Sequence, residues 1–217
     1  MGRTPWAEMD TVTQEIDLPN GELMIEQPAE AAELPDSGGV EWAPLVPYWA
    51  VLWRSGVALA RELDSMELSG RRMVELGCGL AVPSIAAARA GAEVLATDAD
   101  GEALEFAERN AAANGARIET ARVDWATPDD LLARGPFDLA IAADVLYERH
   151  AVAQLLDLLP RLAPRAWVAD PGRPAAEAFM DQAKSRGRLT EMRVRGVVRL
   201  YGLSSVRPHG PPGDPGS

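Results

Sequence analysis

The chain has 217 residues, 47% of them apolar, enough for one sizeable α/β domain with extensions. Its formal charge of −12 argues against a nucleic-acid phosphate backbone as partner, and one cysteine (Cys78) with two histidines (His150, His209) excludes a disulfide framework or a Cys/His metal cluster. The N-terminus opens polar and acidic and no apolar run reaches spanning length, so the expectation is a cytoplasmic protein with no metal and no membrane partner.

The charge is unevenly placed. Residues 1–41 hold ten Asp or Glu against one Arg, which accounts for −9 of the −12. This acidic extension mildly favours a basic partner through electrostatic steering. Within it, residues 11–18 alternate, Pro19-Asn20-Gly21-Glu22 is a turn signal and Leu23-Met24-Ile25 reads as a return strand, so a small hairpin is expected. Residues 29–40 read as a linker or lid. From about Trp49 to Leu63 apolar residues fall at helical spacing, with Tyr48, Trp49 and Trp53 crowding the start.

From Arg71 onward short apolar strands alternate with helices, the pattern of βαβ units and a parallel sheet. The strands are expected at 73–77, 93–98, 118–123, 137–143 and 166–170, and the helices between them at 81–90, 101–114, 128–134 and 148–162. Gly91 and Gly115 stand where helix C-caps belong. A last helix, 174–186, precedes two alternating stretches, 188–195 and 197–204, expected to form an antiparallel pair. The domain is expected to span 42–206, with a disordered Pro/Gly tail at 207–217.

Chemistry is sought at the carboxyl ends of the strands, where open parallel sheets bind ligands. The first strand ends in Glu75-Leu-Gly77-Cys78-Gly79 and runs directly into a helix, a turn whose glycines accept positive φ and close ligand approach. The second ends in Asp98, about twenty residues on, placed either to accept both hydroxyls of a ribose or to cap the next helix, a task Asp100 can also perform. The third ends in Asp124-Trp125, a carboxylate for an adenine amino group and an indole to stack on the base. Together these describe an adenosine site. Val82 and Pro83 stand where a dinucleotide fingerprint needs its third small residue, and no lysine completes a phosphate loop.

The run from Glu75 to Ala81, acid-x-Gly-x-Gly-x-Ala, resembles motif I of the class I S-adenosylmethionine-dependent methyltransferases, with Ala81 in place of the last glycine. Asp144-Val145-Leu146-Tyr147 resembles the Asp-x-x-Tyr/Phe signature of the seven-strand methyltransferase family 16, lysine-specific protein methyltransferases with small-molecule relatives. Pro47-Tyr48-Trp49-Ala50, Trp53 and Gly56, with Asp170-Pro171-Gly172-Arg173, resemble the branch that methylates the electron-transfer flavoprotein β subunit. The similarity covers about residues 10–205.

The resemblance implies a Rossmann-like fold with a seven-stranded, mostly parallel sheet and an antiparallel strand near the C-terminus. It implies S-adenosylmethionine as cofactor and S-adenosylhomocysteine as product, held by Trp53, Glu75, Gly77, Cys78, Gly79, Asp98, Asp124, Trp125 and Asp144. Tyr48, Trp49, Glu148 and Arg173 face the substrate, a protein lysine or a small-molecule nucleophile. Asp144 is the candidate to hold the substrate cation and favour loss of its proton, with Tyr147 lining the channel. The alternative for Asp144 is a cap on the helix near Glu148, and Arg173 either binds a substrate acid or pairs with Asp170. Cys78 reads as packing and His150 as structural. A non-catalytic binding module on the same fold is a further alternative.

Overall fold

The computed structural model describes residues 10–32, 47–147 and 149–204. The expected linker or lid beyond residue 32, Glu148, and the tail with His209 lie outside them.

The described residues form two sheets. The first is the acidic hairpin, β1 (Thr11–Leu18) paired antiparallel with β2 (Gly21–Pro28), Leu18 opposite Gly21 across the two-residue turn. A one-turn helix α1 (Ala29–Ala32) follows where a linker was expected. The second sheet has seven strands in the order β5-β4-β3-β6-β7-β9-β8. Here β3 is Arg72–Leu76, β4 Glu93–Asp98, β5 Glu119–Arg122, β6 Leu139–Ala143, β7 Arg165–Asp170, β8 Leu189–Arg195 and β9 Val198–Ser204. The first five are parallel, and β9 runs antiparallel to both β7 and β8. Strand order reverses between β3 and β6, so the fold's natural ligand crevice lies above their carboxyl ends.

Helices α2 (Arg54–Asp64), α3 (Val82–Arg89) and α4 (Gly101–Ala113) cover one face, and α6 (Arg149–Leu162) and α7 (Pro174–Ser185) the other; α5 (Asp129–Ala133) is a short connection. The alternation of β3 divides its side chains between the layers. Val74 and Leu76 join the cluster with Leu155, Leu159 and Phe179 of α6 and α7, whereas Met73 joins that of Leu59 and Leu63 of α2. Glu75 shares the Met73 face and so points under α3. No helix among the described residues is long and apolar enough to cross a membrane.

The helix expected from Trp49 is interrupted. Tyr48–Ala50 forms a 3₁₀ turn, the chain then extends, and α2 starts only after Trp53, whose ψ is 136°. Its apolar residues are at helical spacing, but the Trp53 indole N–H donates to the Tyr48 carbonyl at 2.8 Å, which folds the segment back on itself. The aromatic residues therefore form a wall ahead of the helix and not its first turn.

The hairpin is held by two asparagines four residues apart, Asn110 on α4 and Asn114 at its C-terminal cap. Asn114 accepts from the Met24 N–H at 2.8 Å and donates to its carbonyl at 2.8 Å. Asn110 does the same for Glu26 at 2.8 and 3.1 Å. The helix thus presents a substitute strand edge to β2, so backbone groups that would otherwise be left unpaired are satisfied.

Candidate active site

Above β3, β4, β5 and β6 lies a cleft of about 1100 Å³. Every described candidate from the sequence lines it: Tyr48, Trp49, Trp53, Glu75, Gly77, Cys78, Gly79, Asp98, Asp124, Trp125, Asp144, Tyr147 and Arg173.

Its floor is the turn after β3. Gly77 and Gly79 have φ of 68° and 50°. A Cβ on Gly77 would lie 2.9 Å from Val145 Cγ1, and one on Gly79 2.9 Å from the Trp49 carbonyl oxygen. The glycines are needed by the cleft's own walls, which close on the turn from both sides. Ala81, where the motif it resembles has a glycine, takes a left-handed conformation with φ of 61°. It shares this feature with only Asp144 among the described non-glycine residues, and such backbone costs an alanine about 1–2 kcal/mol. The Cys78 thiol is buried and its pKa pushed well above the usual range, first by burial and then by Glu75 and Asp98, so it is a packing group and not a nucleophile.

The carboxylates around this turn are bound locally. Asp98 Oδ2 accepts from the Gly79 N–H at 2.9 Å and Oδ1 from the Asp100 N–H at 3.0 Å. The capping role belongs to Asp100, which accepts from Glu102 N–H at 2.9 Å. Burial raises the Asp98 pKa. Glu75 is fully buried; its Oε2 accepts from the Ser84 N–H at 3.0 Å and from the Ser84 hydroxyl. Burial pushes Glu75 up to about 8, against the pull of those bonds. The first turn of α3 is therefore occupied by an internal acid, and Pro83 removes another N–H, so this helix end is a poor seat for a pyrophosphate. Asp124 is exposed, with Oδ1 held by Ala126 N–H at 2.8 Å. The Trp125 ring lies against Gly77, 3.6 Å from where a Cβ would be.

The other half of the cleft is assembled from distant segments. Asp144 is buried, with φ of 59°. Its Oδ1 accepts from Arg173 Nη1 at 2.8 Å and its Oδ2 from the Ser55 N–H at 3.1 Å. It therefore caps α2, and not the helix that follows it. Burial pushes Asp144 up to about 6, opposed by Arg173 and Ser55. Arg173 Nη1 also reaches Asp170 Oδ2 at 3.0 Å, so Arg173 is shared between two carboxylates and not presented to a substrate acid. Tyr48 and Tyr147, 49% and 54% exposed, stack at 5.4 Å with 28° between their rings. His150 and Gln154, one turn apart on α6, also line the cleft, His150 exposed. Sequence reasoning missed Ser55 and Gln154. A backbone donor has no residue signature, and the helical spacing of Gln154 from His150 was the one available sign.

The profile of the lysine methyltransferase family matches residues 48–178, which carry nearly the whole of this cleft. The chain belongs to this family. Its curated relatives include protein N-lysine methyltransferase METTL21A of Danio rerio, 33% identical over 120 residues, 52% of this chain and 55% of the relative. Another is the electron transfer flavoprotein beta subunit lysine methyltransferase of Xenopus laevis, 35% identical over 136 residues, 58% and 53% of the two chains. The chain thus spans about half the length of these relatives. The fold is also that of magnesium protoporphyrin IX methyltransferase from Synechocystis, solved with bound S-adenosylmethionine, at a TM-score of 0.55 and 22% identity over 70% of this chain and 79% of that one. Lysine methyltransferase family membership and the sheet order agree with the Rossmann-like reading of the sequence.

Proposed function

We propose that this chain is an S-adenosylmethionine-dependent methyltransferase that modifies a protein lysine. The observation carrying the reading is one cleft with acids at the ends of β3, β4 and β5 beside a tight glycine turn, closed on its far side by stacked tyrosines. The donor set suits the cofactor. Glu75 is buried and Asp98 half-buried, and their bonds come from Ser84 and backbone N–H groups and not from a cation, so a ligand bearing positive charge and hydroxyls complements them. Asp98 would hold the ribose, Asp124 and Trp125 the adenine, and the Gly77–Gly79 turn the chain that bears the sulfur.

S-adenosylmethionine, when bound, supplies an electrophilic methyl group on a sulfonium. What remains for the protein is alignment of a neutral amine and exclusion of water. Tyr48 and Tyr147 would grip the aliphatic stem of the lysine, their rings favouring the cationic form on arrival. Both Asp144 oxygens already hold donors, so Asp144 acts by fixing the wall, and the ammonium proton leaves to solvent.

Calorimetry with S-adenosylhomocysteine and NAD, followed by transfer of labelled methyl in a lysate, tests this. Binding of the sulfur compound alone, with label in a protein band, is the expected result. Label only in an organic extract would support the small-molecule alternative, and binding without any transfer the non-catalytic one. No binding would overturn the cofactor assignment.

A further inference from the structure

We propose that Arg173 is the positioning residue of the substrate side of the cleft, joining the strand-end carboxylates Asp144 and Asp170 to the aromatic wall of Trp53, Tyr48 and Tyr147. The inference rests on the methyltransferase reading for its kinetic consequence, but its structural core stands apart from it.

The guanidinium has three neighbours. Nη1 donates to Asp144 Oδ1 at 2.8 Å and to Asp170 Oδ2 at 3.0 Å, and the Arg173 side chain is only 12% exposed. Its Cζ lies 5.6 Å from the centre of the Trp53 ring. Asp170, fully buried, holds the arginine from both ends, since its Oδ1 accepts the backbone N–H of Gly172 at 2.7 Å and of Arg173 at 2.8 Å. The loop after β7 is thereby folded around its own acid with the guanidinium aimed at β6.

Two lines of force run out from this point. Along one, Arg173 and the Ser55 N–H hold both oxygens of Asp144, a residue in left-handed backbone that only its surroundings can maintain. That turn delivers Tyr147 three residues later. Along the other, the guanidinium lies against Trp53, whose indole N–H donates to the Tyr48 carbonyl at 2.8 Å. The two lines meet where the Tyr48 and Tyr147 rings stack. One planar cation therefore sets both members of the tyrosine pair. A lysine in its place would keep the charge near the two carboxylates but lose the flat face that lies against Trp53.

The test compares Arg173→Lys and Arg173→Met in the full chain, each also in a Trp53→Phe background. Tryptophan emission is expected to change in both Arg173 variants, and the change is expected to vanish when Trp53 is Phe. S-adenosylhomocysteine affinity by calorimetry is expected to stay within about threefold of wild type, while KM for the methyl-accepting protein rises about tenfold and kcat changes less. Arg173→Lys carries the same readouts should the Met variant fail to fold. An emission change that persists without Trp53, or none at all, would overturn the proposal, as would a loss confined to cofactor affinity. A Trp53-dependent change in the Arg173 variants, with a wild-type chain that binds no S-adenosylhomocysteine, would overturn the functional reading and leave the positioning role standing.

Discussion

The two halves of the cleft satisfy buried carboxylates in opposite ways. On the side of β3 and β4, Glu75 and Asp98 are bound by Ser84, Gly79 and Asp100, and burial without a counter-ion holds protons on them to higher pH. On the side of β6 and β7, Asp144 and Asp170 share a guanidinium, and Asp144 closes the end of a helix ninety residues earlier in the chain. The first arrangement leaves the acids without an internal cation, so a cationic ligand that favours their charged forms complements them. The second spends the negative charge inside the protein, on rigidity. A shared location at strand ends therefore does not imply a shared role.

The sharpest way to break this contrast is Asp144→Ala. Removing one partner of a buried pair typically costs about 3–5 kcal/mol. Unfolding in urea should show a loss toward the lower end, because Asp170 still neutralises Arg173, and turnover should fall strongly while cofactor affinity is nearly kept. Equal loss of affinity and turnover would instead make Asp144 part of the cofactor side.

Gly79→Ala comes next. The new Cβ meets the Trp49 carbonyl oxygen at 2.9 Å in left-handed backbone, a combination expected to cost about 2–3 kcal/mol in the same urea measurement. Asp98→Ala is expected to weaken S-adenosylmethionine binding by about 1–3 kcal/mol, the loss of a charged acceptor. Unchanged calorimetric affinity would remove Asp98 from the ribose.

The smallest effect, at most about 1.4 kcal/mol per pH unit, is a pH slope. Glu75 titrates near 4.5 when free and at about 8 in the fold, so between those values the folded chain keeps a proton that the unfolded chain has lost. Stability should fall as pH rises across that window and level off above it. The Asp144 contribution has the same sign but ends near pH 6. Urea midpoints from pH 5 to 8.5 should therefore show a decline above pH 6.5 that Glu75→Gln flattens. A slope untouched by that substitution would place the titrating group elsewhere.

Much of this was legible before any coordinates. The βαβ rhythm, the closing antiparallel pair and the hairpin turn rest on local periodicity and glycine placement, and the observed strands of the seven-stranded sheet fall within two residues of the expected ones, while the hairpin's return strand is longer than expected. The turn from Glu75 to Ala81 and the acids Asp98 and Asp124 were legible for a related reason, since a strand's last residue reaches the crevice wherever the strand sits in a parallel sheet. Position alone left the cap of α4 open between Asp98 and Asp100, and the structure gives it to Asp100.

Tertiary structure decided the rest. Helical spacing from Trp49 onward could not reveal that an indole N–H would turn back to Tyr48 and delay α2 to Arg54. Nothing near Asn110 and Asn114 announces that they will serve as an edge for β2, more than eighty residues away. Arg173 could be paired with Asp170 on paper because they are three residues apart, but its bond to Asp144 spans 29 residues and that of Asp144 to Ser55 spans 89. Local sequence carries the backbone conformation and the residue types at each strand end, because those depend on neighbours in the chain. Which carboxylate receives a counter-ion and which keeps its field depends on which strand ends the fold makes adjacent, and only packing of the whole sheet determines that.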